Sequence, residues 1–316
     1  AMNASKHWFD PAQLPETFDH YRAIYTVDID NRLKPGAALR NLFSDRSYHI
    51  ERFENRLFEE KLIEVLQKDR FDIIQLETLY LAPYLPVIRK FSSAPIALRS
   101  HNVEHEIWER VAANSHPVKR WYLNAITPRL KKFEVERLNQ YDLIIGITER
   151  DVEQFRRLGL SKPAVVTPIG LDCRDYTADN RCFHQPLSLA FIGSLDWMPN
   201  VEGLKWFLDT VWKPLLAPAF PNLTFHIAGR NTPSWLRRLR LPGVVVHGEV
   251  PDAAAFINQH PIMVVPLLSG SGMRAKILEG MALGKVILST PVGLEGIPAR
   301  HREEALIAAT PEDFLS

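Results

Sequence analysis

Residues 269–285 read SGSGMRAKILEGMALGK, a run of small residues feeding a helix whose first turn carries two cations, Arg274 and Lys276. A helix N-terminus exposes unpaired N–H groups and a partial positive charge, so Asp, Glu, Ser or Thr normally stands there. Here no acid appears before Glu279. Small residues leave the backbone open. Free N–H groups, a positive helix end and two cations together describe a site for a strongly anionic ligand such as phosphate. The plainer alternative is a surface helix with a Lys276–Glu279 ion pair at i,i+3 spacing. Met281 and Ala282 fall at apolar helical spacing and read as core.

Working outward, the stretch is preceded by IMVVPL (262–267) and ends in KVILST (285–290), two short β-rich apolar runs. Similar runs recur at LSLAFIG (187–193), LTFHIAG (223–229), VVVHGEV (244–250) and ALIAA (305–309). An earlier series comprises FDIIQL (71–76), PIALR (95–99), DLIIGI (142–147) and AVVTP (164–168), with helices expected at 52–69 and 105–113. Short strands alternating with helical segments signal parallel sheets with crossover helices. The fold class expected is α/β, two Rossmann-like domains facing a cleft. Gly170 to Pro186 holds charges, both cysteines and little apolar periodicity, and reads as a linker. The division expected is therefore 1–170, a linker at 171–186, and 187–316. In open parallel sheets ligands sit at the carboxyl ends of strands, which singles out SHNVEHE, SLDWMPN, RNTP and SGSGMR.

The chain opens AMNASKHWFDP, with no strand, Gly-rich turn and helix ahead of it. The first domain is therefore expected to lack its opening strand–helix unit. Ala1–Ser5 reads as the tail of a strand or an artificial extension, and PEDFLS as a cut inside a last helix. Nucleotide binding with weak transfer is the corresponding expectation.

The chain has 316 residues, 46% hydrophobic and 24% charged, a soluble composition with length for two domains. A net charge of +1 carries no nucleic-acid footprint. Cys173 and Cys182, without C-x-x-C or a His cluster, indicate neither a disulfide framework nor a zinc site. No secretory leader and no apolar run of the roughly 18 residues that suggest a span are present, and a cytoplasmic location is expected. Residues 118–132, VKRWYLNAITPRLKK, carry five basic residues and no acid beside Trp121, Tyr122 and Leu130. That composition fits a peripheral membrane face, or a solvated helix kinked at Pro128. The D-x-D at Asp28–Asp30 is a short motif that arises by chance, and no metal site is expected.

LEGMALG (278–284), SHNVE (100–104) and TPIGLD (167–172) together resemble the retaining glycosyltransferases of GT-B fold, family 4, over nearly the whole chain. GSLDW-MPN with SGMRAKILE is similar to a subgroup associated with exopolysaccharide and surface-glycan assembly. Three positions depart from the family pattern: its first Glu falls on Ser271, its hinge Asn on Ile169, and its Arg/Lys pair is replaced by SLDWMPN (194–200). The resemblance implies sugar transfer from a UDP- or GDP-linked donor to a glycan or lipid-linked acceptor, with retention and without a metal or other cofactor. It implies that Glu279 holds the ribose hydroxyls and that Gly272, Met273, Arg274, Lys276, Ser194, Arg230 and Val250 contact the donor. His101 is the catalytic candidate. Glu77, Arg99 and Asn102 are acceptor-side candidates, and Trp197 is expected to pack the cleft floor. The alternatives are a nucleotide-sugar epimerase of the same fold and a non-catalytic nucleotide-sugar-binding scaffold.

Overall fold

The apolar runs become strands, and the computed structural model shows why their side chains demand it. In Ser188–Ile192, Leu189 and Phe191 join one core cluster while Ala190 joins another. In Ile262–Val265, Val264 enters the first cluster and Met263 and Val265 the second. A period of two with both faces apolar is a strand buried between helix layers. The structure describes residues 1–4, 8, 10, 20–113, 115–270 and 272–315. They form two units, Ala1–Thr167 and Pro168–Ser316.

The first unit contains β1 (Met2–Ala4), β2 (Val27–Ile29), β3 (Ile74–Leu76), β4 (Ile96–Ser100), β5 (Leu143–Gly146) and β6 (Ala164–Val166). β3 to β6 form a parallel sheet in chain order, and β1 and β2 pair in parallel separately. The opening residues thus include a strand. The Arg56–Lys68, Glu104–Ala113 and Pro117–Arg137 helices accompany this sheet. The last runs unbroken through Pro128 and buries Leu123, Ile126, Thr127, Leu130 and Glu134, while Val118 and Trp121 remain exposed. Asp30 of the D-x-D pairs with Arg32 at 2.8 Å and Lys34 at 3.2 Å, which holds its carboxyl well below the usual range.

The second unit contains β7 (Ser188–Ile192), β8 (Thr224–Ala228), β9 (Val244–Gly248), β10 (Ile262–Val265), β11 (Val286–Ser289) and β12 (Leu306–Ile307). All pair in parallel, in the order β12-β11-β10-β7-β8-β9. The chain winds outward from β7 to β9, then restarts at β10 on the other side of β7. This is the doubly wound dinucleotide-fold order. Segment 171–186 belongs to this unit: Asn258 Nδ2 donates to Thr177 O and its Oδ1 accepts from Asp179 N.

Candidate functional site

The strand order places a crevice at the carboxyl ends of β7 and β10, where crossovers leave in opposite directions. Two of the loops singled out in the sequence leave from there. After β10, Gly272 (φ 78°) takes a left-handed conformation that a side chain would strain. The chain then turns into the Ala275–Ala282 helix, with Arg274 at its N-cap. After β7, Ser194 Oγ donates to Asp196 Oδ1 at 2.6 Å, and Trp197 caps the Met198–Trp206 helix.

The two cations are turned inward and bind these loops together. Lys276 Nζ donates to Ile192 O at 3.1 Å and Asn200 Oδ1 at 2.8 Å, beside the Phe191 ring at 4.6 Å. Asn200 Nδ2 in turn donates to Ser194 O at 2.8 Å. Burial, and after it the neighbouring Arg274 charge, pulls the Lys276 ammonium down to about 7. Arg274 is 6% exposed, donates to Gly272 O and lies 6.0 Å from the Trp197 ring centroid. A methyl group at Gly193 would stand 2.7 Å from Lys276 Nζ and 2.8 Å from Asn200 Nδ2, so glycine is what lets these groups approach. The surface ion-pair alternative for Lys276 is replaced by these internal bonds, since Glu279 instead accepts from Tyr176 Oη at 3.3 Å.

The other donor candidates ring the same sheet edge. Arg230 is exposed after β8, and its carbonyl accepts from Leu195 N at 2.9 Å. Val250, beyond β9, and Met273 pack against the apolar cluster of Ile277 and Val265, as does Met281. Ser271 lies outside the described residues.

In the first unit, three candidates converge at the ends of β3 and β4. Glu77 Oε2 lies 3.2 Å from His101 Nε2 and 3.6 Å from Arg99 Nη1. Gln75 Nε2 donates to the other Glu77 oxygen. A carboxylate beside one imidazole nitrogen orients the ring and selects its tautomer. Asn102 contributes its carbonyl, which accepts from Ser100 Oγ at 2.7 Å and closes the loop on itself.

Residues 186–316 match the family model described as glycosyl transferases group 1. They carry a glycosyl transferases group 1 domain. A 44.6 kDa protein of the cps region of Klebsiella pneumoniae, itself uncharacterized, is 26% identical over 130 residues, 38% of this chain. The matched stretch spans 33% of that relative's length. Among solved structures, Anabaena HepE in complex with UDP aligns with a TM-score of 0.64 at 13% identity, covering 92% of this chain and 74% of HepE. Sucrose-phosphate synthase of Thermosynechococcus elongatus gives 0.63 at 13% identity, with 92% and 71% covered. At such identities the likeness establishes fold, and the fold is GT-B. No helix among the described residues is long and apolar enough to cross a membrane.

With the glycosyl transferases group 1 domain placed, the residues that sequence reading missed become explicable. Asn200 lies in SLDWMPN, a loop the sequence singles out without naming Asn200, yet it pairs with Lys276 across 76 positions of chain. The support of the His101 loop was also missed. Glu134, 2% exposed on the Pro117–Arg137 helix, accepts from Glu104 N at 3.0 Å and His105 N at 3.2 Å, and sits 2.6 Å from His105 Nδ1. It caps the Glu104–Ala113 helix, whose preceding residue, Val103, has no side-chain acceptor. Glu104 itself accepts from Tyr80 Oη at 2.9 Å, and burial pushes its carboxyl up to about 7. No local sequence signal marks these pairings.

Proposed function

We propose that this chain transfers a sugar from a nucleotide-diphosphate donor to a glycan or lipid-linked acceptor, with retention of configuration and without a metal. The observation that carries this reading is the SGSGMRAK loop and its helix at the topological switch point of a glycosyl transferases group 1 domain. There the first-turn N–H groups and the positive charge of Lys276 and Arg274 offset charge developing on the departing diphosphate. Glu279 accepts the ribose hydroxyls, a task for which two carboxylate oxygens are suited. The structural likeness to a UDP complex favours UDP as the nucleotide. On the acceptor side, Glu77 orients the His101 ring, with Arg99 beside it.

Exposed Val118 (73%) and Trp121 (64%) beside Lys119 and Arg120 support peripheral contact with an anionic bilayer. Cosedimentation with phosphatidylglycerol vesicles, with Trp121→Ser as control, tests that contact. The transfer reading is tested with a radiolabelled panel of UDP- and GDP-sugars, with lipid-linked acceptors and with EDTA present. Label moving to acceptor in EDTA supports it. An epimerised donor replaces it with an epimerase, and binding without transfer with a non-catalytic nucleotide-sugar-binding scaffold.

A further inference from the structure

Segment 173–185 meets the far end of the Ala275–Ala282 helix through two of the most sheltered reactive groups in the second unit. Cys182 is 3% exposed and Lys285 is 5% exposed. Lys285 Nζ donates to Asp179 O at 2.6 Å and to Cys182 Sγ at 3.4 Å, while the Phe183 ring lies 5.7 Å from the ammonium. The Asp179 carboxylate is occupied by Arg181, with Nη2 at 2.6 Å, so the Lys285 ammonium bonds to a carbonyl and a sulfur rather than to a carboxylate. Cys182 also lines an open depression of about 570 Å³ together with Gln185 and Asn258, which gives a small diffusing oxidant a route to the sulfur.

We propose that Cys182 and Lys285 form an oxidation-dependent covalent cross-link, a nitrogen–oxygen–sulfur bridge made with dioxygen. The thiol loses its hydrogen and the ammonium loses two. S–O and N–O bonds form to one oxygen atom. The other oxygen leaves as water with two of the hydrogens, and the third is released to solvent as a proton. Dioxygen accepts four electrons, two from sulfur and two from nitrogen. Two equivalents of a dithiol return the four electrons and release the thiol, the amine and water.

The geometry favours this product over the usual thiol oxidation ladder. Sulfur and nitrogen already stand at van der Waals contact, and holding two reactants in place removes much of the entropic cost of joining them. Burial hinders the larger thiols that would otherwise cap the sulfur. The backbone on both sides is fixed as well. Lys285 N donates to Gly280 O at 2.9 Å, and Gln185 N donates to Cys182 O at 3.3 Å. The bridge would tie segment 173–185 to the helix that carries Glu279, which Tyr176 of the same segment already contacts. On the donor-binding reading above, oxidation would thereby stiffen one wall of the nucleotide site.

The test is intact-mass and peptide-mapping spectrometry of the full chain in a Cys173→Ser background, which removes the exposed second thiol. After incubation in air, the mass is expected to rise by about 14 Da, one oxygen gained and two hydrogens lost. The rise should be absent under nitrogen, reversed by dithiothreitol, and mapped to a cross-linked peptide pair containing Cys182 and Lys285. Lys285→Arg keeps the positive charge and should abolish it. An unchanged mass in air, oxygen added to Cys182 with the Lys285 peptide unlinked, or the same gain persisting in Lys285→Arg would overturn the proposal. The first two readouts use unsubstituted Cys182 and Lys285, so they stand whether or not that variant folds. None depends on a nucleotide ligand.

Discussion

Binding of a nucleotide sugar should draw a proton from solvent, because burial leaves the cation beneath the crevice mostly uncharged in the empty protein above about pH 7. Lys276 has neutral acceptors only, Ile192 O and Asn200 Oδ1, and its ammonium sits at about 7 rather than 10.5. The charged groups that bear on it are Arg274, which lowers it further, and Glu279, which raises it. At pH 8 it is therefore about one-tenth protonated. An anion within about 4–6 Å raises such a group by about 1–3 units, which carries the protonated fraction to between about one-half and nearly one. Uptake of about 0.4–0.9 proton follows.

The assay is calorimetric titration with UDP-glucose at pH 8 in buffers of different ionisation enthalpy, where the slope of observed heat against buffer enthalpy counts protons. UDP-glucose suits the purpose because its diphosphate has no group titrating near neutrality. Lys276→Arg, charged at every accessible pH, should show a slope near zero. The sign extends to stability. The folded value lies below the unfolded one, so the unfolded chain binds the extra proton between about 7 and 10.5, and the empty protein gains stability as pH rises through that window. Measurable binding with no buffer dependence in the parent would refute the reasoning, since the diphosphate would then not meet this charge. No binding at all would instead refute the choice of donor.

Glu134→Ala should destabilise the first unit by about 3 kcal/mol or more, because it strips the partner from buried His105 and uncaps two backbone N–H groups; urea denaturation checks this, and a loss within error contradicts it. His101→Ala and Glu77→Gln should each reduce transfer by about 10²-fold or more, as loss of an acid–base group does, and leave UDP affinity within about twofold. An equal loss of UDP affinity in those variants would place the pair on the donor instead. Acidification should weaken the second unit through three packed histidines: His226 Nδ1 is 2.9 Å from His247 Nε2, and the His226 and His260 rings lie 4.3 Å apart. Burial holds all three below 6.5, with His260 down to about 4. Their contribution is therefore full above 6.5 and lost as pH falls from there through about 4. His260→Phe should flatten the melting temperature across that range, and an unchanged profile would remove the histidines from the explanation.

Much of the fold was legible because it rests on local chemistry. Strands β3 to β12 each coincide to within one residue with a run of β-branched, aromatic or other apolar residues bounded by polar or turn-forming ones, and the carboxyl-end loops could be named from those runs. β1 was legible only as one of two alternatives, the tail of a strand, and β2 was not legible. MNA and VDI carry no apolar periodicity, and they pair with one another across a separation of 25 positions. The candidate site was legible as a composition but not as an arrangement. Two cations in a first helical turn are visible in one line of sequence, yet their direction is not. Only the folded chain shows that Arg274 is buried on the Gly272 carbonyl near Trp197.

What the sequence determined by itself, then, is the alternation of strands and helices and the choice of loops that carry polar chemistry, since period, propensity and turn residues act over a few neighbours. The order β12-β11-β10-β7-β8-β9, which puts the crevice between β7 and β10, was decided only when the sheet assembled, because strand neighbours are chosen by long-range packing. The same is true of Lys276 on Asn200, Glu134 on the Glu104–Ala113 helix, and Lys285 against Cys182. Those partners are 76, 30 and 103 positions apart. Nothing local selects them; burial does, since a charged or polar group carried into the interior must take whichever partner the tertiary fold brings within reach.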